Sequence, residues 1–178
     1  MKLIVFIYIL SVMQQDSSSN IFNYKDAKNN SNWYTVNDGV MGGMSEGTIS
    51  INDIGIATFN GYVTTANNGG FSSTRYVFNK KDVSKFNHVV LKVKGDGKSY
   101  QFRIKENSSQ RYSYITTFKT SGEWETIKIP LSSFYPSFRG NRLDKINYSG
   151  NLMEEIAILI GNNTKESFKL EIKNIYLE

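Results

Sequence analysis

Between residues 48 and 177 the chain is a succession of short runs rich in β-branched and aromatic residues. Each is closed by a cluster of Gly, Asn, Asp or Ser, and no window holds an apolar period of 3.6 residues over three turns. Nothing else in the sequence narrows the fold as far, because an amphipathic helix and a half-buried strand demand different periodicities. TISI (48–51), IATFNGYV (56–63), FSSTRYVF (71–78), HVVLKVKG (88–95) and YQFRIKE (100–106) read as strands. RYSYITTFK (111–119), EWETIKIP (123–130), EIAILIG (155–161) and FKLEIKNIYL (168–177) follow in the same manner. Tyr100, Phe102 and Ile104 are set on one face against Gln101, Arg103 and Lys105 on the other, and Phe168, Leu170 and Ile172 share a face near the end. Between the runs lie Asn67-Asn68-Gly69-Gly70, Asp96-Gly97 and Ser121-Gly122. Asp96-Gly97 predicts a type I′ hairpin, whose two central residues need positive φ. Strands at this spacing predict an all-β fold, a single antiparallel β-sandwich domain over residues 21–178.

Composition then excludes chemistry. With no cysteine, disulfides, thiol nucleophiles and zinc–thiolate sites are out, and with His88 as the one histidine, histidine metal sites and histidine-dependent triads are disfavoured. No cofactor is expected. The formal charge of +5 is scattered rather than run together, a mild preference for anionic surfaces. Residues 1–20 read as a signal-peptide-like leader and linker: Lys2 precedes an apolar stretch from Leu3 to Met13 broken by Ser11, and a polar segment follows. The stretch falls short of the ~20 residues a membrane-spanning helix needs. This pattern favours export or membrane association. A folded N-terminal strand, also compatible with Leu3 to Leu10, would leave the protein cytoplasmic.

The stretch VNDGVMGG (36–43) stands apart, with three glycines and an acid around Val40 and Met41. It lacks the spacing of either glycine-rich phosphate loop and no helix is expected after it. Gly43-Met44-Ser45-Glu46-Gly47 matches G-x-S-x-G, but Ser45 leads into a strand where a nucleophile elbow needs a helix, so the match reads as coincidence. Asn37 and Asp38 could offer oxygen ligands to calcium, but the spaced acids of a calcium loop are missing, and an Asp in a turn ordinarily bonds backbone. The loop is expected to form a corner of the sandwich, with Asp38 capping the turn through backbone N–H groups. Val40 and Met41 either plug the core or present an apolar contact. Basic and aromatic residues also alternate at Arg75, Arg103, Arg111 with Tyr112 and Tyr114, and Arg139 with Arg142. Such mixtures serve binding surfaces for proteins, sugars or single-stranded RNA.

Four segments in order carry a resemblance: WYTVNDGVMGGMSEG (33–47), NNGGFSSTR (67–75), VKGDGKSYQFR (93–103) and FYPSFRG (134–140). Together the chain from Trp33 onward resembles the complex I intermediate-associated protein 30 family. The resemblance implies a galactose-binding-like jelly-roll sandwich and a non-catalytic binding or assembly role, as in the mitochondrial members that assist assembly of respiratory complex I. Sugar-binding modules share this fold, so a carbohydrate-binding module is the alternative. The expected partner is a protein, with subunits of a membrane respiratory complex as candidates; a glycan ranks second and nucleic acid last. Candidate binding residues are Asn37, Asp38, Met41, Gly42, Gly43 and Phe71 around the loop, and Arg75, Arg103, Tyr112 and Arg139 elsewhere.

Overall fold

The computed structural model describes residues 19–178, and the leader reading lies outside that range except at Ser19 and Asn20. Thirteen strands appear in chain order: β1 (Asn20–Asn23), β2 (Trp33–Asn37), β3 (Glu46–Ile51), β4 (Ala57–Val63), β5 (Ser72–Asp82), β6 (His88–Lys94), β7 (Ser99–Lys105), β8 (Ser113–Lys119), β9 (Trp124–Pro130), β10 (Tyr135–Phe138), β11 (Asn141–Arg142), β12 (Leu152–Ile160) and β13 (Glu166–Leu177). They divide between two antiparallel sheets. One runs β3-β4-β13-β6-β9, with β1 also on β13; the other runs β11-β10-β8-β7-β12-β5-β2. The all-β sandwich read from the alternation is the fold.

The alternation explains the layering. Tyr100, Phe102 and Ile104 of β7 and Ile156, Ile158 and Ile160 of β12 turn inward, where they meet Leu91, Val93, Phe168, Leu170 and Ile172 of the other sheet. Each of these side chains is essentially removed from water, worth roughly 1.5–3 kcal/mol apiece. Edge-to-face and tilted aromatic pairs such as Phe22–Trp33, Phe59–Phe168 and Phe102–Phe134 fill the space between layers.

All nine expected runs form strands. Four short strands, β1, β2, β10 and β11, have no counterpart in the sequence reading, and β1 already begins at Asn20, paired with Tyr176. The type I′ hairpin at Asp96-Gly97 does not form. β6 and β7 belong to different sheets, so this turn carries the chain between layers rather than reversing it within one. Gly97 has positive φ (81°) and Asp96 does not. The Asp96 carboxylate instead accepts the backbone N–H of Lys98 and Lys169 and the Tyr100 hydroxyl, tying the turn to β7 and β13. No helix among the described residues is long and apolar enough to cross a membrane.

Candidate functional site

The loop after β2 is organised by one carboxylate. Asp38 opens a short 3₁₀ turn (Asp38–Met41) that Gly42 terminates in the left-handed region at φ 90°, which a side chain would strain. The Asp38 side chain is wholly buried, at 0% exposure. Its Oδ1 accepts the Ser45 N–H (2.9 Å), and its Oδ2 accepts the Ser45 hydroxyl (2.5 Å), the Gly70 N–H (2.6 Å) and the Phe71 N–H (3.2 Å). In return the Asp38 N–H donates to the Phe71 carbonyl (3.2 Å), and Ser45 Oγ accepts the Thr64 N–H (3.0 Å). One carboxylate thus holds the loop after β2 against the loop between β4 and β5. Gly43 and Gly69 are required for this, because a Cβ at either would meet the Asp38 carboxylate.

Burial pushes the Asp38 carboxyl up. The Ser45 hydroxyl and the N–H groups of Gly70, Ser45 and Phe71 outweigh that penalty and hold it below its ordinary 3.8. Three of these donors converge on Oδ2 and one on Oδ1, so the carboxylate is committed to holding the two loops together. Among the described residues no cluster of three or more His, Cys, Asp or Glu could hold a metal. Asp38 bonds Ser45 at the end of its own loop as well as Gly70 and Phe71 of the neighbouring one, whereas Asn37, which precedes the 3₁₀ turn, makes no side-chain cap bond to it.

With its base fixed, the loop turns its apolar residues outward. Val40 is 75% exposed, Met41 55% and Met44 62%. Of the two expectations for Val40 and Met41, core plug or surface contact, the exposed arrangement is the one present. Asn37 faces inward and clips β3 to β5: its amide oxygen accepts the Gly47 N–H and the Ser72 hydroxyl. Ser45 of the G-x-S-x-G match is buried in bonds to Asp38 and Thr64. His88 exchanges backbone hydrogen bonds with Glu178 at the far end of β13, whereas Glu46 lies beside Tyr62 and Ser167 at its start. On the order of 30 Å of strand separates the two, so no base reaches Ser45 from His88.

A second arrangement lies on the outer face of the seven-stranded sheet. Strand register sets Tyr34, Arg75, Ala157, Arg103, Ile115 and Tyr135 side by side in one line across β2, β5, β12, β7, β8 and β10. In the next row Val36, Ser73, Leu159, Gln101 and Thr117 are aligned. Ser73, Ile115, Ala157 and Leu159 are buried although they point away from the core, so the longer side chains around them cover this part of the face. Glu155, 3% exposed, accepts from Arg75 (3.3 Å) and the Tyr34 hydroxyl (3.2 Å) and pairs with Lys105 (3.3 Å). Burial first, and then Glu155, raise the Tyr34 hydroxyl above its usual value. Arg103 bonds through Nε and Nη2 to the Gln101 amide oxygen. Burial, followed by the charge of Arg75, brings its guanidinium down to about 10. Arg142 lies over the Tyr135 ring at 4.8 Å.

The residues singled out from sequence therefore separate. Asn37, Asp38, Met41, Gly42, Gly43 and Phe71 gather at the loop, and Arg75 and Arg103 flank Ala157 on the sheet face. Tyr112 packs edge-on to Tyr114 with Lys145 over its ring, and Arg139 sits over Phe138 in the turn between β10 and β11, so neither joins the two groups. Ser45, Gly69 and Gly70 at the loop, and Tyr34, Glu155 and Tyr135 on the face, were not singled out for these roles. The polar residue that opens the apolar run EIAILIG was the available signal for Glu155.

The family model described as Complex I intermediate-associated protein 30 matches residues 22–172. A probable mitochondrial complex I intermediate-associated protein 30 from Caenorhabditis briggsae is 32% identical over 156 residues, covering 75% of this chain and 46% of that protein. The Drosophila melanogaster protein of that name is 25% identical over 147 residues, 70% of this chain and 50% of the relative. The chain thus spans about half the length of these relatives. Among solved structures, the family 11 carbohydrate-binding module from Clostridium thermocellum, in complex with a β-1,3-1,4-mixed-linked tetrasaccharide, superposes with a TM-score of 0.64 at 22% identity, covering 89% of this chain and 94% of that one. At that identity the likeness speaks for the jelly-roll fold alone.

Proposed function

The chain belongs to the complex I intermediate-associated protein 30 family, and on that premise we propose that it is a non-catalytic binding module of the assembly-factor type, which meets a protein partner through Val40, Met41 and Met44. One observation carries this reading: a wholly buried carboxylate fixes a loop whose large apolar side chains face water. A preorganised loop loses little conformational freedom on binding, so the burial of its apolar side chains goes into affinity. Methionine adapts well to the shape of an opposing pocket. The two groups here with catalytic chemistry, Asp38 and Ser45, are engaged with each other and with backbone, which supports a structural role for both. The names of the relatives point to an intermediate of respiratory complex I as the kind of partner, and an exported or membrane-associated location would bring the module to one.

The test is a comparison of tagged wild type with the Val40→Asp/Met41→Asp double variant, purified after crosslinking from native cells. The reading expects subunits of a membrane respiratory complex to co-purify with wild type and to be lost with the variant, while thermal melting is unchanged. Equal recovery by both would overturn it. A second reading, carbohydrate binding on the outer face of the seven-stranded sheet, is favoured by Tyr34 and Tyr135, which place aromatic rings near the two ends of one cross-strand line.

A further inference from the structure

If the outer face of the seven-stranded sheet takes a glycan, as the second reading holds, its charged groups say which kind. We propose that the ligand is an acidic glycan, a uronate-bearing oligosaccharide whose carboxylate enters between Arg75 and Arg103 over Ala157. Both arginines are register partners of Ala157, on the strands to either side of it. Their backbones are therefore two strand spacings apart, about 10 Å. The alanine between them is 5% exposed beneath the longer side chains, so the carboxylate would seat above it, at the level of the guanidinium groups.

The charge of this slot is not balanced from within. Glu155 is shared by Arg75 and Lys105. Arg103 bonds a neutral amide and forms no ion pair with a described carboxylate. Arg75 Nε is buried without a hydrogen-bond partner. A half-buried guanidinium held beside another cation costs free energy that an incoming anion offsets, and a planar carboxylate fits the guanidinium fork with two parallel hydrogen bonds.

The surroundings favour a sugar over a peptide as the bearer of that carboxylate. β5, β12 and β7 are each paired on both edges, so an extended peptide cannot add a strand here. The line from Tyr34 to Tyr135 runs across the strands, with Gln101 and Thr117 in the adjoining row to meet hydroxyls. The Tyr34 and Tyr135 rings carry Arg75 and Arg142 over one face, at 5.9 and 4.8 Å, and a sugar ring would stack on the other.

The experiment is a set of calorimetric titrations of the full chain at physiological salt with oligogalacturonate, alginate oligosaccharide, a neutral mixed-linked gluco-oligosaccharide and an oligoglutamate peptide. Wild type is expected to bind an acidic oligosaccharide at least about ten-fold more tightly than the neutral one. Arg103→Gln, which removes the charge, should abolish that preference without altering the melting curve. Neutral oligosaccharide bound as tightly as acidic would overturn the proposal while leaving the glycan reading intact. Peptide binding that depends on Arg103, with no glycan bound, would overturn both, as would the absence of any binding.

Discussion

Two buried carboxylates organise this molecule, and they do so with different partners. Asp38 is surrounded by hydrogen-bond donors without formal charge, three backbone N–H groups and one hydroxyl, and among the described residues it pairs with no cation. Glu155 is surrounded by the side chains of Arg75, Lys105 and Tyr34. The first arrangement fixes the course of the chain and sets a shape. The second fixes where charged side chains stand on a sheet whose backbone is already paired, with one carboxylate shared between two cations. A carboxylate bonded to backbone makes a scaffold, whereas one bonded to cations prepares a surface.

Breaking the first arrangement should have the larger effect. Asp38→Ala strands the Ser45, Gly70 and Phe71 N–H groups together with the Ser45 hydroxyl, and a loss of about 3–5 kcal/mol is expected in urea unfolding. For a domain of this size that corresponds to a fall in Tm on the order of 10 °C. The same carboxylate has a pH signature. Its pKa in the fold lies below the ordinary 3.8, so its contribution is fully present above that value and is lost as the pH falls through the folded value. Acid unfolding of Asp38→Asn should lack that component of the wild-type pH slope. Next in size is Gly43→Ala, whose methyl group is driven into the Asp38 carboxylate, for about 2 kcal/mol by the same measurement. Glu155→Gln should cost less, about 1–2 kcal/mol, because the amide oxygen remains an acceptor, Arg75 stays partly in water and Lys105 keeps the Ser108 carbonyl. A Glu155 variant as damaging as Asp38→Ala would erase the distinction between scaffold and surface.

The sheet face was more legible in the sequence than the loop. Arg103 alternates strictly with Phe102 and Ile104, so its outward direction follows from period two alone. Arg75 sits in a strand that the same reasoning identified. What brings these two together is the shared neighbour Ala157, and strand order is a non-local property that no single run reveals. The resemblance marked residues 33–47 and 67–75 separately, and the mutual dependence of these segments rests on hydrogen bonds across 32 and 33 positions of chain. Asp96-Gly97 has the chemistry of a tight hairpin, yet the β6 and β7 cores belong to opposite layers, and tertiary packing overrode the local preference. β10 went unread because Pro136 argues against a strand. It pairs with β8 on one side, and on the other with a β11 of just two residues, a near-edge position where a missing N–H is tolerated.

The central claim is that the Asp38-anchored loop is the protein contact, and a site-specific photocrosslinker tests it most directly. Placed at Met41 in one sample and at Ile146, itself 81% exposed but outside the loop, in another, it would be activated in native membranes and the adducts identified by mass spectrometry. The account predicts adducts with subunits of a respiratory complex from position 41 and none from position 146, with the position-41 adducts abolished by Asp38→Ala at a temperature where that variant remains folded. Identical adduct patterns from the two positions would contradict it.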